Sequence, residues 1–116
     1  MKKKYIVKTK EEFNNIIKNG CCYKNNYFVV YSINNEKTYD CFGISVGKKI
    51  GNAVTRNKYK RKIRSIIDKY LKGMNNSKDY IIILRKNALS SSFQELERNL
   101  IFLLQKEVKN EKKTLI

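Results

Sequence analysis

The sequence predicts an α+β fold in which helices pack on a small mixed β-sheet. Three observations predict it. Residues 27–33 and 38–46 are rich in aromatic and β-branched side chains and read as strands. A helical apolar period replaces them over 53–72. The continuous apolar run DYIIIL at 79–84 then reads as a strand covered on both faces. With 116 residues and 41% hydrophobic content, the chain supports one domain over 1–116 around one modest core.

The elements follow in order. Thr9, Lys10, Glu11 and Glu12 have the form of a capping box, with Thr9 as N-cap and Glu12 at the third helical position. The short helix after it carries Phe13, Ile16 and Ile17 on one side and ends near Gly20. Asn34, Asn35 and Glu36 supply turn chemistry between the two strands, which predicts a hairpin. On the long helix, Tyr59, Ile63, Ile66, Ile67 and Tyr70 make one apolar face, and Gly73 with the following Asn-Asn-Ser ends it. Ser92, Phe93, Gln94 and Glu95 form a second capping box. It opens a last helix whose Phe93, Leu96, Leu100, Leu103 and Leu104 face the core. The ordered part is expected over 9–104, with a charged tail at 105–116 that frays after Lys106. The predicted order is α-β-β-α-β-α, and the strand–helix–strand segment at 42–84 can set two strands parallel in one sheet.

Charge decides the partner. There are 26 Lys+Arg against 10 Asp+Glu, a formal +16. Cations at that density repel one another, and a large anionic partner relieves the repulsion. The density peaks at 47–64, GKKIGNAVTRNKYKRKIR, which contains no acid. Asn57, Lys60, Arg61 and Arg64 are spaced 3, 1 and 3, so they form a stripe beside the apolar face. The Gly-Lys-Lys-Ile-Gly turn before this helix, with its backbone N–H groups and flanking lysines, suits phosphate. The GxxxxGK[ST] pattern is absent, which excludes a nucleotide P-loop. Nucleic acid is the implied partner.

Other functions fit poorly. No stretch approaches the roughly 20 apolar residues of a membrane span. The charged start, MKKKYIVKTKEEF, has no apolar segment behind it. No membrane partner and a cytoplasmic location are therefore expected. The chain has no histidine, and its scattered carboxylates form no grouping that suggests a two-metal nuclease centre. Cys21, Cys22 and Cys41 contain no CxxC pair and read as reduced thiols in or near strands, with no metal site. Phe13 on the first helix, with Tyr27 or Tyr31 on the first strand, could share a sheet face on which bases stack. On these grounds two readings stay open. One is a ribosomal or assembly RNA-binding protein. The other is a helix-turn-helix DNA binder, although no short second helix precedes the basic one at the required spacing.

Residues 43–64, GISVGKKIGNAVTRNKYKRKIR, resemble the pattern G-x-S-V-x-K-K-x-G-x-A-V-x-R-N-R-x-K-R-x-x-R of the bacterial ribonuclease P protein subunit family. EEFNNIIKNG, YFVVY and DYIIILRKNA agree with its flanking parts, so the resemblance covers about 9–104. It implies a subunit that accompanies a catalytic RNA in removing the 5′ leader from precursor tRNA. Mg²⁺ would be held mainly by the RNA, with no catalytic side chain on the protein, no organic cofactor and no obligate protein partner. It implies contacts to the catalytic RNA by Lys48, Lys49, Asn52, Arg56, Asn57, Lys58, Lys60, Arg61 and Arg64. A cleft between the first helix and the sheet would take the leader on Phe13, Ile17 and Tyr31, with Lys48, Arg85 and Lys86 near its phosphates. The family fold also implies a left-handed strand–helix–strand crossover, against the usual rule. This chain departs from the pattern at Lys58, where arginine is common and gives bidentate phosphate geometry. Ile17 stands where an aromatic is common, Gly47 where serine is, and Asn87 where proline is.

Overall fold

The computed structural model describes residues 3–70 and 76–114, with side chains described as far as Lys106. Helix α1 (Lys10–Asn19) starts as its capping box dictates. The Thr9 hydroxyl accepts from the Glu12 N–H at 3.1 Å, and the Glu12 carboxylate reaches back to the Lys8 N–H at 3.3 Å. Gly20 ends the helix, but not through the left-handed conformation that usually favours glycine there, since its φ is −85°. The constraint is space. A Cβ on Gly20 would lie 2.5 Å from both the Ile16 and the Ser32 carbonyl oxygens, where helix and sheet meet.

Four strands follow: β1 (Cys21–Lys24), β2 (Phe28–Asn34), β3 (Cys41–Ser45) and β4 (Lys78–Leu84). Helix α2 (Ala53–Tyr70) lies between β3 and β4, and α3 (Phe93–Thr114) closes the chain. The sheet order is β1-β2-β4-β3, with β1–β2 and β2–β4 antiparallel and β3–β4 parallel.

This corrects the sequence reading twice. The expected hairpin between the second and third strands does not form, because β4 lies between them. Its run of isoleucines, with Ile81 and Ile82 fully buried, takes the sheet centre, where both faces are covered. The Asn35 turn instead ties the end of β2 to the start of β4: its N–H donates to the Ser77 carbonyl and its side-chain amide to Asp79 Oδ1 at 2.8 Å. The hairpin partner of β2 is β1, a strand absent from the predicted order. Asn25 makes that turn, its side-chain oxygen accepting the N–H groups of Tyr27 and Phe28 at 2.9 Å each.

Strand alternation divides the core between the two sheet faces. Phe28, Val30, Phe42, Tyr80, Ile82 and Leu84 face α2 and α3, meeting Ile63, Ile66, Ile67, Leu96, Leu100, Leu103 and Leu104. Phe42 and Tyr80, paired across β3 and β4, stack with centroids 5.0 Å apart. The opposite face carries Tyr31, Ile33, Cys41, Ile81 and Ile83, which α1 covers in part with Phe13 and Ile16.

One smaller expectation changes. Phe93 is 41% exposed at the first turn of α3, outside the core face of the leucines. The second capping box does form, with Ser92 Oγ accepting the Glu95 N–H at 3.2 Å. The backbone past Lys106 continues as helix to Thr114. Cys41 is buried as a strand thiol should be, whereas Cys21 and Cys22 are exposed on β1. The expected stop at Gly73 lies outside the described residues. Among the described residues no helix is long and apolar enough to cross a membrane.

Candidate nucleic-acid interface

The basic segment starts in a tight 3₁₀ turn, Lys48–Ile50, anchored by the buried Ile50 and closed by an Ile50 N–H bond to the Gly47 carbonyl. Gly51 then takes φ +153°, a region open to glycine and strained for other residues. That turn leaves Lys48 and Lys49 exposed and aims the chain into α2. Asn52 caps α2, its side-chain oxygen accepting the Thr55 N–H at 2.9 Å. Asn52, expected to contact RNA, thus has its side-chain oxygen engaged in starting the helix.

Helix α2 buries Ile63, Ile66 and Ile67, which fixes its rotation. Asn57, Lys58, Arg61 and Arg64 are exposed, and Arg56 and Lys60 are half-buried. Lys58 is set off from the stripe, on the flank it shares with Lys62 one turn later. Lys62 itself lies over the Tyr59 ring, 5.0 Å from its centroid. Among the described residues no acid pairs with the stripe; further along the helix Lys69 pairs with Glu97 of α3 at 3.2 Å. The unneutralised cations thus form one continuous face.

A second surface lies on the sheet face that α1 only partly covers. Phe13 rests on Gly43, where an added Cβ would lie 2.5 Å from the Phe13 ring, and Ile17 is 39% exposed one turn along α1. Beyond α1 the cross-strand pairs Tyr31–Ile81, Val29–Ile83 and Ser45–Ile83 place Tyr31, Val29, Ile83 and Ser45 on the same face. All four are half-exposed. This floor opens at the C-terminal ends of β3 and β4 into a groove of about 610 Å³, flanked by Lys48, Lys49, Arg85 and Lys86. The result is a trough with an apolar floor, α1 as one wall and cations along the other. The neighbouring Cys22, and then burial, hold the Tyr31 phenol above its ordinary pKa, so it stays a hydrogen-bond donor at neutral pH.

The structure brings Lys48, Arg85 and Lys86 together and sets Phe13, Ile17 and Tyr31 on the adjoining wall and floor. Sequence reasoning missed Val29, Ser45 and Ile83; strand alternation through Tyr31 would have found the first. It also missed Asn25, whose backbone carbonyl accepts from the Arg85 guanidinium at 2.9 Å and holds that side chain toward the β1–β2 turn. The two surfaces approach each other at a notch of about 160 Å³, where Lys60 and Arg64 of α2 meet Phe13 and Gly43. Among the described residues no group of three His, Cys, Asp or Glu side chains could hold a metal ion.

A profile of the Ribonuclease P family matches residues 1–108. The chain belongs to the ribonuclease P protein family. It is thus a subunit of the ribonucleoprotein endoribonuclease that processes the 5′ end of tRNA. The ribonuclease P protein component of Streptococcus pneumoniae is 41% identical over 105 residues, covering 90% of this chain and 85% of that protein. The ribonuclease P protein of Staphylococcus aureus superposes with a TM-score of 0.81 at 38% identity, covering 87% of this chain and 93% of that one. That of Thermotoga maritima gives 0.80 at 31% identity, with 86% and 94% covered. The α+β architecture with its mixed four-stranded sheet is therefore that of ribonuclease P proteins.

Proposed function

We propose that this ribonuclease P subunit uses its two surfaces for two RNAs. The acid-free stripe of α2, with Lys48, Lys49 and Arg56, binds the catalytic RNA, and Lys58 adds charge on its flank. The trough takes the single-stranded 5′ leader of precursor tRNA. One observation carries this division. Apart from Val54, exposed in its first turn, the α2 face offers charge with little apolar surface and suits a folded phosphate backbone. The trough combines an apolar and aromatic floor with flanking cations and suits an unpaired strand whose bases stack. Phe13, Ile17 and Tyr31 meet the bases, while Lys48, Arg85 and Lys86 meet the phosphates.

Chemistry then belongs to the RNA. Among the described residues no carboxylates cluster for Mg²⁺, and in this reading the catalytic RNA holds the metal. The protein's cations weaken repulsion between catalytic RNA and substrate, which lowers the Mg²⁺ that cleavage requires. The reading carries with it a cytoplasmic location.

Cleavage of a leader-bearing precursor tRNA at low Mg²⁺ tests this with protein alone, bacterial ribonuclease P RNA alone, and both. Cutting at the mature 5′ end only in the mixture is the expected result. Tight RNA binding with no effect on cleavage would instead favour an assembly role.

A further inference from the structure

We infer that the leader track extends across the whole sheet to β1, where Lys24 is its outermost phosphate contact. The inference rests on the trough being the leader site. β1 pairs antiparallel with β2, which pairs antiparallel with β4, so the C-terminal ends of β1, β4 and β3 lie at one end of the sheet. Lys24 ends β1 there, level with Arg85 after β4 and Lys48 after β3. Its cross-strand partner is Val29, whose partner on the other side is Ile83. Directly paired residues point to one face, so the Lys24 side chain stands on the trough side and continues the row Ser45, Ile83, Val29.

The rail is joined physically. Arg85 donates to the carbonyl of Asn25, the residue next to Lys24. The Asn25 side chain in turn fixes the turn from both sides, accepting from Tyr27 and Phe28 and donating to the Asn99 carbonyl of α3. Lys24 is exposed, and no acid pairs with it among the described residues. Four strands give three inter-strand gaps, a span of about 14 Å, enough for a few extended nucleotides.

Direction follows from the other surface. Lys48 and Lys49 adjoin α2, where the catalytic RNA docks, so a leader emerging from that RNA enters at the Lys48 end. It leaves over Lys24. Lys24 therefore meets only leaders long enough to cross the sheet.

The test is affinity of the reconstituted holoenzyme for precursor tRNAs whose leaders grow one nucleotide at a time, compared with mature tRNA. Lys24→Ala should match the unsubstituted protein on short leaders and fall about three- to fivefold behind once the leader reaches β1. The salt slope for those long leaders should drop by about 0.7, the value for one phosphate on a single strand. Lys24→Arg should retain the long-leader gain. Equal affinity of Lys24→Ala at every length, or an equal loss with mature tRNA, would overturn the inference. If the unsubstituted holoenzyme does not distinguish leader-bearing from mature tRNA, the trough assignment itself fails, and this extension fails with it.

Discussion

Gly43 offers the sharpest test of how packing shapes the trough. It sits in β3 under α1, and an added Cβ would lie 2.5 Å from Phe13 Cζ, 2.8 Å from Phe13 Cε2 and 2.8 Å from Ile81 Cδ1. Such separations force neighbours to move. The Phe13 ring is half-buried and can slide outward, so Gly43→Ala should push it off the sheet without unfolding the protein. Overpacking of this kind costs about 1–3 kcal/mol. Loss of glycine freedom in the unfolded chain returns roughly 0.4–1 kcal/mol. The net destabilisation should be about 1–2 kcal/mol. Urea denaturation of the parent, Gly43→Ala, Phe13→Ala and the double variant isolates the contact. With the ring gone Ile81 Cδ1 has space to shift, so the added methyl should cost less than beside the ring, giving a coupling of at least about 0.5 kcal/mol. Additive costs would refute the packing argument. The displaced ring should also weaken precursor tRNA binding relative to mature tRNA.

Further outcomes follow from the same geometry. Arg61→Ala or Arg56→Ala should weaken catalytic RNA binding by about 1–3 kcal/mol in filter binding, and the deficit should shrink with added salt. A salt-independent loss would point to misfolding of α2. Asn25→Ala removes the acceptor for two backbone N–H groups and should cost about 1–3 kcal/mol in thermal unfolding, while Asn25→Asp should retain most of it. Burial pushes the Asp40 carboxyl above its usual range, against the opposing N–H groups of Lys78 and Asn76. Its folded state thus favours the proton. The stability it contributes is present below the unfolded value of about 3.9 and lost as pH rises through the folded value. Asp40→Asn, which cannot titrate, should lose less stability than the parent as pH is raised from about 4; equal pH profiles would contradict this.

The rotation of α2 was legible from helical spacing, and Ile63, Ile66 and Ile67 are buried as their period required. The sheet order was not. Nothing local marks β4 as central over β3, since strand neighbours are set by which apolar run can be covered on both faces. β1 escaped notice because Cys21, Cys22 and Lys24 are exposed and leave no apolar alternation to read. Its one signal was the Asn25-Asn26 pair before Tyr27. The trough was half legible for the same reason. Phe13 and Tyr31 could be matched to a cleft, but Val29, Ile83 and Lys24 join it only through the register of β1, β2 and β4. Phe93 was misplaced because it shares the spacing of Leu96 and Leu100 yet, as the first residue of α3, is 41% exposed.

The central claim is that the two surfaces serve different RNAs, and one paired measurement tests it. Affinity for the catalytic RNA alone, and the ratio of precursor to mature tRNA affinity in the holoenzyme, are measured for two variants. Arg61→Ala combined with Arg64→Ala should weaken binding to the catalytic RNA. With holoenzyme formed at saturating protein, it should leave the precursor-to-mature ratio intact. Tyr31→Ala combined with Phe13→Ala should lower that ratio and leave catalytic RNA binding unchanged. Loss of both quantities together in either variant would contradict the division.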